Sequence, residues 1–143
     1  MHITIDELER IIQCPSETEV LEFNTSKNNF ELEKLIDYCV AIGNEGGGKI
    51  ILGVSGKLPR KVTGSTAFNA PARTVASIHE CLRIKVSFQE LDHPDGRVLI
   101  FNIPSRSIGK PLHNKGRYLM RAGDSLTAMT PDQLADIFNE GKP

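Results

Sequence analysis

Tryptophan is missing from this chain, and two tyrosines and six phenylalanines are its whole aromatic complement in 143 residues. Most of these rings fall on inferred core faces, so few remain as platforms for stacked bases. Cysteine is sparse as well. Cys14, Cys39 and Cys81 lack any C-x-x-C spacing and sit in apolar neighbourhoods, which argues against a disulfide framework and predicts buried thiols in a reducing cytoplasm. His2, His79, His93 and His113 have no metal-ligand spacing among themselves or with the cysteines, and His79, next to Ile78 on a helical stretch, reads as packed. Ser105, Ser107 and Ser125 lack a nucleophile-elbow context, which argues against a serine hydrolase. No apolar run approaches the roughly 20 residues that span a bilayer, and the N-terminus has no basic-then-apolar signal. The expectation is a cytoplasmic protein with no membrane contact.

What is present fits one soluble domain, with 39% hydrophobic and 24% charged residues. The net charge of −1 predicts no affinity for polyanions by itself, but the charges are unevenly placed. Residues 1–45 hold ten acidic and three basic side chains, and residues 46–143 hold eight and fourteen. Two stretches contain no acid: 46–79, with Lys49, Lys57, Arg60, Lys61 and Arg73, and 103–123, with Arg106, Lys110, Lys115, Arg117 and Arg121. That asymmetry permits a basic face beside an acidic edge. It is equally what solvated loop lysines and arginines would give.

Hydrophobic periodicity supplies the elements. Thr4 with Glu7 makes a capping box for a short helix carrying Leu8, Ile11 and Ile12 on one face. VLEF at 20–23 reads as a strand. Asn28 with Glu31 suggests a cap for a helix to about residue 43, with Leu32, Leu35, Ile36, Cys39 and Val40 inward. KIILGV at 49–54 is a β-branched strand, and Asn69 and Pro71 open a helix with Val75, Ile78 and Leu82 inward. IKVSFQEL at 84–91 and RVLIFNI at 97–103 are antiparallel partners around HPDG. RYLM at 117–120 is a last short strand. Thr130 with Gln133 caps a final helix carrying Leu134, Ile137 and Phe138. The sum is an α/β domain: a mixed, α+β sheet with helices packed on it.

The stretch GNEGGGK at 43–49 fits G-x-x-x-x-G-K, with Ile50 where a phosphate-binding loop needs Ser or Thr. Such a loop lies between a strand and the N-terminus of a helix, whose amides and dipole hold the phosphates. Here the order is helix, glycines, strand. The helix presents its negative end, and glycines at a helix C-cap account for the stretch without a ligand. This argues against an ATP site.

Several further motifs share one resemblance. Glu17 to Phe23 forms E-x-x-x-x-E-F, and Asn44-Glu-Gly-Gly-Gly48 is followed by Ile50-Ile-Leu-Gly-Val54. Ile103-Pro-Ser105, Lys110-Pro111, Gly116-Arg-Tyr118 and Arg121-Ala-Gly-Asp-Ser125 come after, in order. Together these resemble the Schlafen-type, AlbA-like domain found in bacterial proteins once labelled divergent AAA ATPases or transcriptional regulators. The resemblance covers the domain at 16–129; the N-terminal helix at 1–15 precedes it, and the abrupt ending of the helix begun at 130–143 suggests a module cut from a longer protein. The resemblance implies a compact α/β fold that binds DNA or RNA as a module of a transcriptional regulator or defence-type protein, needing no cofactor for binding.

In some Schlafen proteins the domain also cleaves RNA with acidic residues, which makes a Mg²⁺- or Mn²⁺-dependent endoribonuclease the alternative. By position Glu17 and Glu22 match the first two carboxylates, as catalytic residues and metal ligands. Ser55 stands where the third acid belongs, and Asn24 where a lysine is usual, so both departures count against cleavage. Read as residues alone, Glu17 and Glu19 are equally solvated carboxylates, and Glu22 equally an outward-facing strand position between Leu21 and Phe23. The nucleic-acid contacts expected are Lys57, Arg60, Lys61, Lys110, Lys115, Arg117, Tyr118 and Arg121. If RYLMR is a strand, Arg117 and Arg121 share a face that Tyr118 does not. A protein-interaction domain, such as a homodimerisation module, is the third reading, and the near-neutral total charge favours it.

Overall fold

A computed structural model describes residues 2–13, 20–123 and 125–142. The order is α1 (Ile5–Ile12), β1 (Leu21–Asn24), α2 (Leu32–Asn44), β2 (Gly48–Leu52), α3 (Pro71–Leu82), β3 (Ser87–His93), β4 (Gly96–Ile103), β5 (Leu119–Ala122), β6 (Ser125–Ala128) and α4 (Pro131–Phe138). β1–β4 form one mixed sheet in the order β1-β2-β4-β3, with β1 and β2 parallel across α2 and the remaining pairs antiparallel. β5 and β6 make a separate hairpin.

The sheet is buried on both faces because its strands alternate between two apolar sets. Ile50, Leu52, Leu99 and Phe101 face α2 and α3. Ile51, Val98 and Ile100 face the other way, where Leu8 and Ile12 of α1 and Ile3 before it cover them. α1 therefore shares the core of the sheet. Its start is the expected box, with Thr4 Oγ1 accepting from Glu7 N–H and Glu7 Oε1 accepting from Thr4 N–H. α4 starts the same way at Thr130 and Gln133.

Other boundaries differ from the sequence reading for local reasons. α2 begins at Leu32 with Glu31 as a cap that makes no side-chain bond. Asn28 lies outside the helix and meets Thr66 instead. β2 stops at Leu52 because Gly53 has φ +97° and turns the chain away. β3 starts three residues later and runs to His93, leaving Pro94-Asp95 as the tight turn. β5 starts at Leu119, since Arg117 bonds back to Asn114 across a two-residue loop, and its partner β6 was not anticipated. Cys39 is buried, with its thiol pushed upward by that burial, but Cys81 and His79 are exposed on the outer face of α3. Cys14 lies outside the described residues. Phe138 is 51% exposed, and Ile137 alone of its helix is fully packed.

The glycine stretch is the helix-to-strand corner expected. α2 ends at Asn44, and Gly47 donates to the Ile42 carbonyl at 2.9 Å. A Cβ on Gly48 would sit 2.1 Å from the Val20 carbonyl oxygen, and one on Gly47 would sit 2.7 Å from that of Ile103. The glycines let two neighbouring chains pass, and Lys49 bonds Asn102 on β4. Burial lowers the Lys49 pKa against the opposing pull of Glu7. Among the described residues no helix is long and apolar enough to cross a membrane.

Candidate functional site

β1 and β2 run parallel and end side by side at Asn24 and Leu52. The loops that leave them are stitched together. Gly53 donates to the Asn24 carbonyl at 2.8 Å, Thr66 N–H to that of Lys27 at 2.8 Å, and Ser65 Oγ to that of Ser26 at 2.6 Å. Arg97 pins the second loop by donating to the carbonyls of Ser65, Ala67 and Phe68. Ser55 closes its tip: Ser55 N–H donates to the Lys61 carbonyl, and Ser55 Oγ accepts from Lys61 N–H, both at 2.9 Å. The position that the resemblance assigns to a third acid thus holds a loop together.

Between these loops and α2 lies a cleft of about 360 Å³, lined by Glu22, Asn24, Thr25, Tyr38, Gly56 and Lys57 among others. Open sheets present their loops for ligands at the carboxyl ends of parallel strands, and this cleft has that position. Glu22 pairs in register with Ile50, so it points to the α2 side, and that side is covered by protein. It is 5% exposed and accepts from Arg121 Nη2 at 3.1 Å, while Arg121, 2% exposed, lies over the Tyr38 ring at 5.4 Å. The outward-facing reading of Glu22 does not hold. Arg121 is a buried cation bound to a carboxylate, not a surface contact.

The other expected cations divide sharply. Arg60 is 8% exposed, donates to the Ile12 carbonyl and stacks on Phe23 at 4.5 Å, fixing α1 to the sheet. Arg117 forms a two-pronged pair with Asp37 at 2.8 and 2.9 Å, and Lys115 pairs with Glu33 at 2.9 Å. Hydrogen bonds from Lys115, then Asn114, hold the Glu33 carboxyl below its ordinary pKa. Asn114 joins Glu33 and Asp37 from beneath. Tyr118 is half-buried with its ring 4.9 Å from His113. Lys57, Lys61 and Lys110 are exposed, and among the described residues no ion pair reaches them. Lys57 and Lys61 share the pinned 55–61 loop, whereas Lys110 lies at the opposite end of the sheet, past the end of β4. The structure therefore does not bring all eight residues to one face.

Sequence reasoning missed Lys34 and Asn29, which line a second depression of about 430 Å³ that shares Asn24 with the cleft. Lys34 lies in the acid-rich third, which hid it, although its helical phase placed it outward. Glu17 lies outside the described residues. Glu22 faces a guanidinium, and no three His, Cys, Asp or Glu gather among the described residues.

A mixed four-stranded sheet, α1 on one face, α2 and α3 on the other, and a cleft beyond the parallel strands define a small α/β module. The family described as Schlafen, AlbA_2 matches residues 17–130, and the chain belongs to that family. No curated protein matches the chain. Among solved structures it is similar to the DIP2311 protein from Corynebacterium diphtheriae, with a TM-score of 0.69 and 16% identity, covering 94% of this chain and 31% of that one. It thus spans less than a third of that protein. It is also similar to the N-terminal domain of a "Putative ATP-dependent DNA Helicase RecG-related Protein" from Nitrosomonas europaea, with a TM-score of 0.59 and 15% identity, covering 92% and 94%. At these identities the likeness is one of fold.

Proposed function

We propose that this domain is a nucleic-acid-binding module that grips DNA or RNA by its backbone phosphates, with little base selection, within a larger regulatory or defence-type protein. The observation that carries the reading is the pinned 55–61 loop. It holds Lys57 and Lys61 exposed in a stretch with no acid from 46 to 79, and Lys57 lines a cleft offering Asn24 and Thr25. Lys34 and Asn29 line a neighbouring depression together with Phe30 and Glu31. Cations on a rigid loop, with polar side chains between them, suit repeated phosphates and not a base edge. Family membership supports the reading, and so does the name of the structural neighbour, a domain of a RecG-related protein. On this reading binding calls for no cofactor, and Glu22 in its ion pair serves as part of the wall.

The test is fluorescence anisotropy with labelled single-stranded RNA, single-stranded DNA and duplex DNA at low and moderate salt. Salt-sensitive binding is expected. Lys57→Glu/Lys61→Glu should weaken it for all sequences alike and lower the salt slope by about two, one for each phosphate no longer neutralised. A folded protein that binds none of the three probes overturns the reading and leaves the protein-interaction module in its place.

A further inference from the structure

A second cleft, of about 360 Å³, opens at the other end of the sheet, between the C-terminus of α3 and the loop that follows β4. Its polar wall is cationic. Arg83, Lys110 and His113 line it together with Ser107, and no acidic side chain is among the lining residues. Its apolar wall is made by Leu82, Ile84, Pro111 and Leu112. We infer that this cleft binds a nucleoside monophosphate unit, with the phosphate on Arg83, Lys110 and His113 and the planar part against the apolar wall.

Three features carry the assignment. The first is chemistry. Two cationic side chains and an imidazole share the lining with no acidic residue in it, and a phosphate accepts charge-assisted bonds from donors of this kind. His113 Nδ1 accepts from Gly116 N–H at 3.1 Å, which leaves Nε2 as the proton-bearing nitrogen and therefore a donor. The second is size. Small-ligand pockets run from about 300 to 1,000 Å³, so this one takes a single nucleotide and no more. The third is rigidity. Asn44 clamps the loop by accepting from Leu112 N–H at 2.8 Å and donating to the carbonyls of Leu112 and Leu119. Arg106 N–H donates to the Gly43 carbonyl at 3.0 Å, and the Arg106 guanidinium is held by Glu140. On the opposite wall Arg83 adopts a left-handed φ of 58° that ends α3 and turns Ile84 into the cleft. A ligand entering here meets walls already in place, which reduces the ordering cost of binding. The site stands apart from Lys57 and Lys61 and is independent of the reading given for them.

The phosphate can come from a free mononucleotide or from the phosphorylated end of a strand, and the experiment separates the two. Calorimetric titrations of the whole chain would use AMP, GMP, CMP and UMP, adenosine as the phosphate-free control, and a dinucleotide with and without a 5′-phosphate. Binding of a phosphorylated probe and not of its unphosphorylated partner is expected. Arg83→Asn/Lys110→Gln should weaken it at least about tenfold, the scale of losing charge-assisted bonds. Asn keeps the left-handed conformation at position 83. Cys81 lies in the lining and is exposed, so the bound probe should also slow its reaction with a thiol reagent in the unmutated chain, with Cys81→Ser identifying that signal. Binding of free mononucleotides assigns a soluble ligand, and binding of the 5′-phosphorylated dinucleotide alone assigns a strand end. No binding of any phosphorylated probe, equal binding by the double variant, or an unprotected Cys81 overturns the inference.

Discussion

Removing either half of the Glu22–Arg121 pair should cost the domain much of its stability. The two side chains meet at 3.1 Å, and their side chains are 6% and 0% exposed, so neither charge left behind can recover the solvation of water. Breaking a buried pair from one side costs about 3–5 kcal/mol, while replacing both partners with apolar groups of similar volume is often neutral. Glu22→Leu and Arg121→Met should therefore each lose about 3 kcal/mol, and the double variant should recover most of that. With a urea m-value of about 1.5 kcal/mol/M, each single change lowers the midpoint by roughly 2 M. With no tryptophan to report, far-UV ellipticity is the signal, and a double-mutant cycle isolates the pair. A coupling energy under about 1 kcal/mol would refute the reasoning, since it would mean that the pair behaves as an exposed one. The point bears on function as well. Glu22 is the residue anyone testing for cleavage would mutate first, and lost activity in that variant would report unfolding unless stability is measured beside it.

Two further outcomes follow from local geometry. Arg106 and then the Gly109 amide hold the Glu140 carboxyl down to about 2, from an ordinary 4.5. Because the folded value is the lower one, this anchoring is complete above about pH 4.5 and fades as pH falls towards 2. The calorimetric Tm of Glu140→Gln should accordingly drop less between about pH 5 and pH 3 than that of the unmutated chain. At the β2 corner, Gly48→Ala places a Cβ 2.1 Å from the Val20 carbonyl oxygen. It should cost about 3 kcal/mol in chemical denaturation, at the upper end for overpacking. Gly46→Ala, with nothing within 4 Å, should show only the smaller penalty of its φ of 104°.

Where the sequence spoke through spacing, it was legible. Thr4–Glu7 and Thr130–Gln133 are boxes because the cap and its partner sit three residues apart and bond each other, and the structure contains both. Asn28–Glu31 has the same spacing, but the helix starts only after Glu31, since the chain turns at residues 26–30 to tie down the second loop. β6 escaped notice because Ser125-Leu-Thr-Ala carries a single large apolar residue and no alternation to count. Arg60 and Arg121 read as surface cations because nothing nearby in sequence marks them as buried. The groups that hold them, Ile12 and Glu22, lie 48 and 99 positions away. Lys57 and Lys61 kept their expected exposure because a pinned loop, not a distant partner, sets it. The reversed polarity at Gly43–Lys49 was readable for the same reason that the caps were. Helix direction is local.

The ion pairs that bind β5 and its preceding loop to the first third of the chain have a consequence for synthesis. Asp37 meets Arg117 across 80 positions and Glu22 meets Arg121 across 99. At roughly 5–20 residues per second, a ribosome that has just added Glu22 needs on the order of 5–20 s to reach Arg121. Through that interval the emerging acidic segment has β1 and α2 but not the arginines that neutralise them. These contacts therefore become possible only once the last hairpin has been made.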